Sequence, residues 1–139
     1  FLGTRDFSGY ARPDGRNPVR TVLSTSVSTE EDGICVFEVT AESFLWHQVR
    51  RMAAALLLVG TGETPESSIE KGFDPGGLRK PCAASPSGLV LWDVDCGIKF
   101  LPMEYPPKAG AYLAREEEHH AVMRKICKGL ECEFPDSKP

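Results

Sequence analysis

The segment FLWHQVRRMAAALLLVG, residues 44–60, constrains the fold of this chain more than any other part of it. Its apolar side chains recur at spacings of three and four residues, which is the period of one helix face. The residues on this stripe are Leu45, Val49, Met52, Leu56 and Val59. Gly60 predicts the end of the helix. The pattern therefore predicts a helix that buries one side.

Arg50 and Arg51 lie in the middle of this apolar segment, and two interpretations of them are open. In the first, both arginines lie at the border of the helix and extend their charged ends to water. In the second, one guanidinium is held in a partly apolar cleft, where it makes a bidentate contact with a carboxylate or a phosphate. Periodicity alone favours the first interpretation. Arg51 lies about a quarter-turn from Arg50, so we expect it to face solvent or a phosphate.

Two strands are predicted before this helix and one after it. Residues 20–28, RTVLSTSVS, and residues 34–41, ICVFEVTA, are rich in β-branched side chains. Asp32 and Gly33 between them are a hairpin signal, which predicts that the two strands pair antiparallel. Residues 89–97, LVLWDVDCG, predict a third strand.

Two further helices are predicted, and the first twenty residues are interpreted as a loop. Thr64 and Pro65 predict the start of a short helix that runs to about Lys71. Residues 110–130 predict a charged amphipathic helix. Gly and Pro residues around position 14 predict a turn or loop.

Composition excludes several classes of protein. With 139 residues, 41% of them hydrophobic, the chain has the size of one ordinary domain. It begins without Met, so we expect it to be a piece of a longer protein. The first twenty residues lack the apolar region of a signal peptide, and no apolar run is long enough to span a bilayer. Five scattered cysteines show no disulfide framework. We therefore expect a soluble, cytoplasmic protein that binds no membrane.

The net charge of −4 argues against a nucleic-acid binder that works by bulk charge alone. The arginines are unevenly spread, however, and four of them lie in the first twenty residues: Arg5, Arg12, Arg16 and Arg20. Arg12 and Arg16 either contact RNA phosphates or belong to a solvated loop. Both interpretations stay open from the sequence.

A zinc site is not expected, although His119, His120, Cys127 and Cys132 lie near one another in the sequence. On a helix, His120 and Cys127 are separated by about 10 Å. Ligands to one zinc lie about 2.0 to 2.3 Å from the metal, so this spacing does not suit a single ion.

Four blocks carry a resemblance to a known family: FLGTRDFSGY, GRNPVRTV, FEVTAESFLWHQVRRMAAALLLVGTG and SPSGLVLWDVD. In this order they resemble the C-terminal half of the tRNA pseudouridine synthases of the TruA type, over residues 1–101. The resemblance implies an α+β fold, with an antiparallel sheet of about four strands and helices on one face. Residues 102–139 lie outside it and are interpreted as a C-terminal helical extension.

The resemblance also implies roles for particular residues. The arginine of the HQVR motif, Arg50, pairs with a catalytic aspartate that the N-terminal half of the family carries and that has no match in this chain. Leu89 lines the uracil pocket. Arg12, Arg16 and Arg51 are candidates for contacts with tRNA. Arg5 stands where the family usually has a histidine.

The expected function is therefore that of a tRNA pseudouridine synthase, which isomerises uridine in the anticodon arm. The reaction needs no cofactor and no metal. The resemblance implies tRNA as the partner and a homodimer of the full-length protein, and the chain by itself is expected to be inactive. The alternative is a non-catalytic RNA-binding or dimerisation module with a synthase-like fold.

Overall fold

A computed structural model gives the structure of the chain and describes residues 1–31, 33–74, 82–99, 101, 104 and 106–133, with the side chains of 129–133 left aside. The chain divides into two compact units, Phe1–Trp92 and Asp93–Pro139. The first unit holds the sheet and the hydrophobic core. The second holds one long helix.

The sheet of the first unit has three antiparallel strands in the order β1-β2-β3. The strands are β1 (Gly3–Asp6), β2 (Val19–Thr29) and β3 (Cys35–Ala41). The central strand β2 pairs with both neighbours, and its register with β3 shifts between Val22 and Ser24. The predicted strands over residues 20–28 and 34–41 and their antiparallel pairing are confirmed. Asp32 of the predicted hairpin turn lies outside the described residues.

The sheet differs from the predicted one in one strand. Among the described residues it has three strands, slightly fewer than the predicted number of about four, and the prediction of a strand over residues 89–97 was wrong. Their apolar side chains are exposed, with Trp92 91% accessible. β-propensity reflects how well side chains fit the pleated, half-buried surface of a sheet. Among the described residues no strand pairs with residues 89–97, so they have no such surface to join. In contrast, β1 was interpreted as a loop, yet pairing with β2 makes it a strand.

The helices agree with the predicted ones to within a few residues. They are α1 (Gln48–Gly60), α2 (Ser67–Lys71) and α3 (Pro107–Glu133). Helix α1 begins four residues later than predicted, because His47 adopts a left-handed backbone conformation with φ of 63°. Single-turn 3₁₀ helices cover Ser8–Tyr10 and Pro86–Gly88.

The core of the first unit lies where helix α1 meets the first 3₁₀ turn and strand β2. Its buried residues are Phe7, Tyr10, Ala11, Val22, Leu45 and Met52. Leu45 and Met52 belong to the predicted apolar stripe, and Met52 is fully buried. The Tyr10 hydroxyl donates a hydrogen bond of 2.6 Å to the Ile69 carbonyl, which ties helix α2 to this core. The fold is α+β, as predicted.

The second unit contains helix α3, whose described side chains are nearly all exposed. On this helix the Nε2 of His120 lies 3.9 Å from a carboxylate oxygen of Glu116. None of the helices in the described part of the chain is long and apolar enough to cross a membrane.

Candidate functional site

The site forms where the loop of residues 11–18 meets the start of helix α1. The amide nitrogen of Arg12 donates to the Trp46 carbonyl at 2.9 Å, which joins the two segments. His47 precedes the helix with a positive φ, which is uncommon for a residue with a side chain. Such conformations cluster at functional sites. No side chain caps the start of the helix, but the amide of its first residue, Gln48, donates to the Leu45 carbonyl at 3.0 Å.

Arg50 is fixed to the segment that precedes the second 3₁₀ turn. Its Nε donates to the Ala84 carbonyl at 2.6 Å, and the Ala84 amide donates back to the Arg50 carbonyl at 3.0 Å. The terminal nitrogens Nη1 and Nη2 make no hydrogen bond within the described residues, and neither is one of the fully buried donors there. The guanidinium is therefore held at one side and open to a ligand at the other.

Arg51 is placed differently from the sequence-based expectation. It is half-buried, its Nη1 donates to the Ala11 carbonyl at 3.2 Å, and its Nε is buried without a partner among the described residues. The expectation that it faces solvent therefore holds only for part of the side chain, because the packing of the Ala11 loop on helix α1 covers the rest. Arg51 joins that loop to the helix.

Arg12 lies against Trp46. The guanidinium carbon of Arg12 is 4.3 Å from the centroid of the indole, which is the geometry of a cation–π contact. Arg12 is exposed and Trp46 is 48% accessible. The sequence did not indicate this pairing, because the two residues are far apart in the chain.

The positive charges of three arginines act on His47: Arg12, Arg50 and Arg51. We call these three residues the arginine cluster. The pKa of His47 is held below its ordinary value by partial burial, and then by the positive charges of Arg50, Arg51 and Arg12. The structure thus brings together three of the arginines that the sequence singled out. An anionic ligand placed here would relieve their mutual repulsion.

Arg16 is paired within its own loop. Its Nε donates to Oδ2 of Asp14 at 2.7 Å, and its amide donates to Oδ1 at 3.1 Å. These hydrogen bonds lower the pKa of Asp14 and raise that of Arg16. A cavity of about 240 Å³ opens beside this loop, lined by residues 11–16 with Ser8, Pro18 and Leu45, which precedes helix α1. Arg12 and Arg16 therefore share a cavity, but Asp14 already balances the charge of Arg16.

Leu89 directly follows the 3₁₀ turn Pro86–Gly88, and its amide donates to the Pro86 carbonyl at 3.0 Å. The side chain is exposed, with 51% of the residue accessible. Leu89 lies five residues after Ala84, so it belongs to the segment that Arg50 holds. No hydrogen bond among the described residues joins Leu89 to the arginine cluster.

The two other arginines of the first twenty residues have structural partners. Arg5 forms an ion pair with Glu70 at 2.6 Å and lies over the Phe73 ring. Arg20 donates to the carbonyls of Asn17 and Val19. These contacts favour a structural role over RNA binding for both residues.

Gln48 was missed by sequence analysis. It is 1% accessible, and its Oε1 accepts a hydrogen bond from the Leu45 amide at 2.8 Å. Its Nε2 has no partner among the described residues. A glutamine beside an apolar stripe gives no signal of burial in the sequence, so this residue could not have been found from the pattern.

The profile of the tRNA pseudouridine synthase family matches residues 1–95. The chain is 46% identical to "tRNA pseudouridine synthase A" of Methanosphaerula palustris, over 91% of this chain and 45% of the relative. It is 42% identical to the protein of the same name from Methanoculleus marisnigri, over 94% of this chain and 48% of the relative. The chain thus spans about half the length of the curated relatives it matches.

Proposed function

The chain belongs to the tRNA pseudouridine synthase family, and we propose that its protein isomerises uridine to pseudouridine in the anticodon arm of tRNA. In this proposal, residues 1–101 supply the basic residue of the active site and part of the RNA-binding surface. Residues 102–139 form a helical extension of that domain. The full-length enzyme works in the cytoplasm as a homodimer.

The reaction rearranges one nucleotide. The bond between C1′ and N1 of uridine breaks, the uracil turns, and a bond forms between C1′ and C5. The proton on C5 is lost and N1 ends with a proton, so no oxidant, reductant or group donor is consumed. The protein needs to position the nucleotide, supply a charged carboxylate and exclude water.

Arg50 carries the proposal for catalysis. Its Nε is anchored on the Ala84 carbonyl, while Nη1 and Nη2 have no partner among the described residues. A guanidinium in this arrangement can offer two parallel donors to one carboxylate. We assign it to the catalytic aspartate, which another part of the enzyme supplies. The positive charge keeps that carboxylate ionised where water is excluded.

The remaining assignments follow from the position of each residue. Leu89, on the segment held by Arg50, lines the uracil pocket in this proposal. Arg12 and Arg51 belong to the arginine cluster and attract phosphates of the tRNA backbone. Arg16 contributes less, because Asp14 holds its guanidinium.

A tritium-release assay tests the proposal on tRNA transcripts that carry [5-³H]uridine. The full-length protein, its Arg50→Ala variant, an Arg115→Ala control on helix α3 and the 139-residue chain alone are compared. We expect release by the full-length protein and by the control. Loss of roughly 100-fold or more is expected in Arg50→Ala, as for other groups that stabilise charge in an active site. The chain alone should release no tritium.

Two results would contradict the proposal. Confirmed binding of tRNA by the full-length protein without tritium release would favour the non-catalytic module. Full activity of Arg50→Ala would remove Arg50 from the active site and return it to the border of the helix. Circular dichroism of each variant separates loss of catalysis from loss of folding.

A further inference from the structure

Trp46 is a large aromatic side chain left half in solvent at the edge of the site. It is 48% accessible, whereas its neighbour Leu45 is 5% accessible and belongs to the core. The Arg12 guanidinium covers part of the indole at 4.3 Å, and the His47 ring lies 5.3 Å away at a steep angle. The indole is therefore held in place on some sides and open on others.

The contact between Arg12 and Trp46 is not needed to attach the loop to the helix. The backbone hydrogen bond from the Arg12 amide to the Trp46 carbonyl makes that attachment without either side chain. Arg51 adds a second attachment through the Ala11 carbonyl. We therefore expect the stacked side chains of Arg12 and Trp46 to have a role other than stabilising the loop.

The chemistry of that surface suits an unpaired nucleotide. Indole rings provide flat faces on which bases stack, and this stacking tolerates any base. A guanidinium that rests on an aromatic ring keeps its charge, and its N–H groups remain able to bind a phosphate. Both groups lie together here before any ligand binds, so little ordering is needed on binding.

The charges near Trp46 also favour the binding of RNA. Arg50 and Arg51 act on His47, the residue next to Trp46, as does Arg12. The acidic residue that lines the adjoining cavity is Asp14, whose charge Arg16 balances at 2.7 Å. An RNA backbone is therefore attracted to this edge of the site.

We propose that Arg12 and Trp46 form a platform for one unpaired nucleotide of the RNA, separate from the uridine that reacts. The base stacks on the indole and the phosphate binds the Arg12 guanidinium. This inference rests on the proposed function, because it takes RNA as the substrate. It adds to that function a subsite for one nucleotide. It also gives the two side chains different roles, with Trp46 binding the base and Arg12 binding the phosphate.

The test measures tRNA affinity of the full-length protein as a function of salt concentration. Trp46→Ala is expected to weaken binding by roughly fivefold to hundredfold, with the salt dependence unchanged, because stacking involves no charge. Trp46→Phe restores most of this loss. Arg12→Ala weakens binding and lowers the slope of log K against log salt by about 0.7 to 0.9, the value of one phosphate contact. Trp92→Phe serves as the control.

The outcomes separate this inference from the proposed function. Wild-type affinity and salt slope in both Trp46→Ala and Arg12→Ala would overturn the platform, even if the enzyme releases tritium. Platform-dependent binding without tritium release would leave the platform standing and overturn the proposed activity. Absence of tRNA binding by the full-length protein would overturn both. Thermal melting of each variant shows whether a loss comes from unfolding.

Discussion

Arg50 and Ala84 exchange two hydrogen bonds across 34 residues of sequence. The Arg50 side chain donates to the Ala84 carbonyl, and the Ala84 amide donates to the Arg50 carbonyl. The same residue that the proposed function assigns to catalysis thus also holds the segment leading to Leu89. Its position and the position of that segment depend on each other.

Replacing Arg50 with lysine separates charge from geometry. Lysine keeps the positive charge but has neither the Nε donor nor two parallel terminal donors. We expect tritium release to fall roughly 100-fold, close to the loss in Arg50→Ala. Hydrogen exchange should also show faster exchange of the amides in residues 84–89. Arg115→Lys on helix α3, the matched control, should retain the activity, and near-wild-type activity of Arg50→Lys would contradict the assigned geometry.

The close approach of the first 3₁₀ turn to helix α2 predicts an effect at Gly9. A Cβ on this residue would overlap the carbonyl oxygen of Gly72, which is backbone and cannot rotate away. Gly9→Ala should therefore lower the free energy of unfolding by about 1 to 3 kcal/mol in urea titration. Gly60→Ala is the matched control, because nothing lies within 4 Å of its added Cβ. Equal stability of the two variants would show that the turn and the helix do not touch.

Tyr10 predicts a loss of stability at high pH. Burial and, after it, the negative charge of Glu70 raise its pKa to about 12, although the positive charge of Arg5 opposes them. Between pH 10 and 12 the unfolded chain releases the phenol proton while the folded chain keeps it, so stability falls as the pH rises. The full contribution, up to roughly 3 kcal/mol, is present below pH 10 and is lost above pH 12. The stability difference between wild type and Tyr10→Phe should shrink over this interval, whereas Tyr112→Phe should follow the wild type.

Local patterns in the sequence predicted the elements that can be recognised without knowledge of their partners. The apolar stripe of helix α1 and the β-branched composition of strands β2 and β3 are such patterns, and the structure confirms a helix and two strands there. Strand β1 depends on pairing with β2, which no local pattern records. Residues 89–97 have the composition of a strand but no neighbouring strand among the described residues. The composition of a segment does not show whether another strand is present to pair with it.

For the site, the sequence identified residue types but not their partners. It selected Arg12, Arg50 and Arg51, and the structure brings all three around His47. It could not show that Asp14 balances Arg16, nor that Arg12 stacks on Trp46, because both depend on the path of the loop. Catalysis by Arg50 and the pocket role of Leu89 remain predictions.

His47 reports on the arginine cluster. Its pKa is lowered by burial and then by Arg50, Arg51 and Arg12, so removal of one of these charges should raise it. Arg50→Gln is therefore expected to move the pKa of His47 upward in an NMR titration of the imidazole protons, while Arg115→Gln leaves it unchanged. His47→Gln identifies the signal among the three histidines. An unchanged pKa in Arg50→Gln would show that the guanidinium does not act on His47.

Under the proposed function, Asp14 competes with RNA for Arg16. It accepts hydrogen bonds from the side chain and the amide of Arg16, so a phosphate must displace a carboxylate that is already well placed. Asp14→Asn removes this charge and should tighten tRNA binding by the full-length protein severalfold at low salt, with a steeper salt dependence. Arg16→Gln should weaken binding less than Arg12→Gln, since the Arg12 side chain has no acidic partner among the described residues. Equal losses in the two arginine variants, together with no gain in Asp14→Asn, would show that Asp14 does not limit the contribution of Arg16.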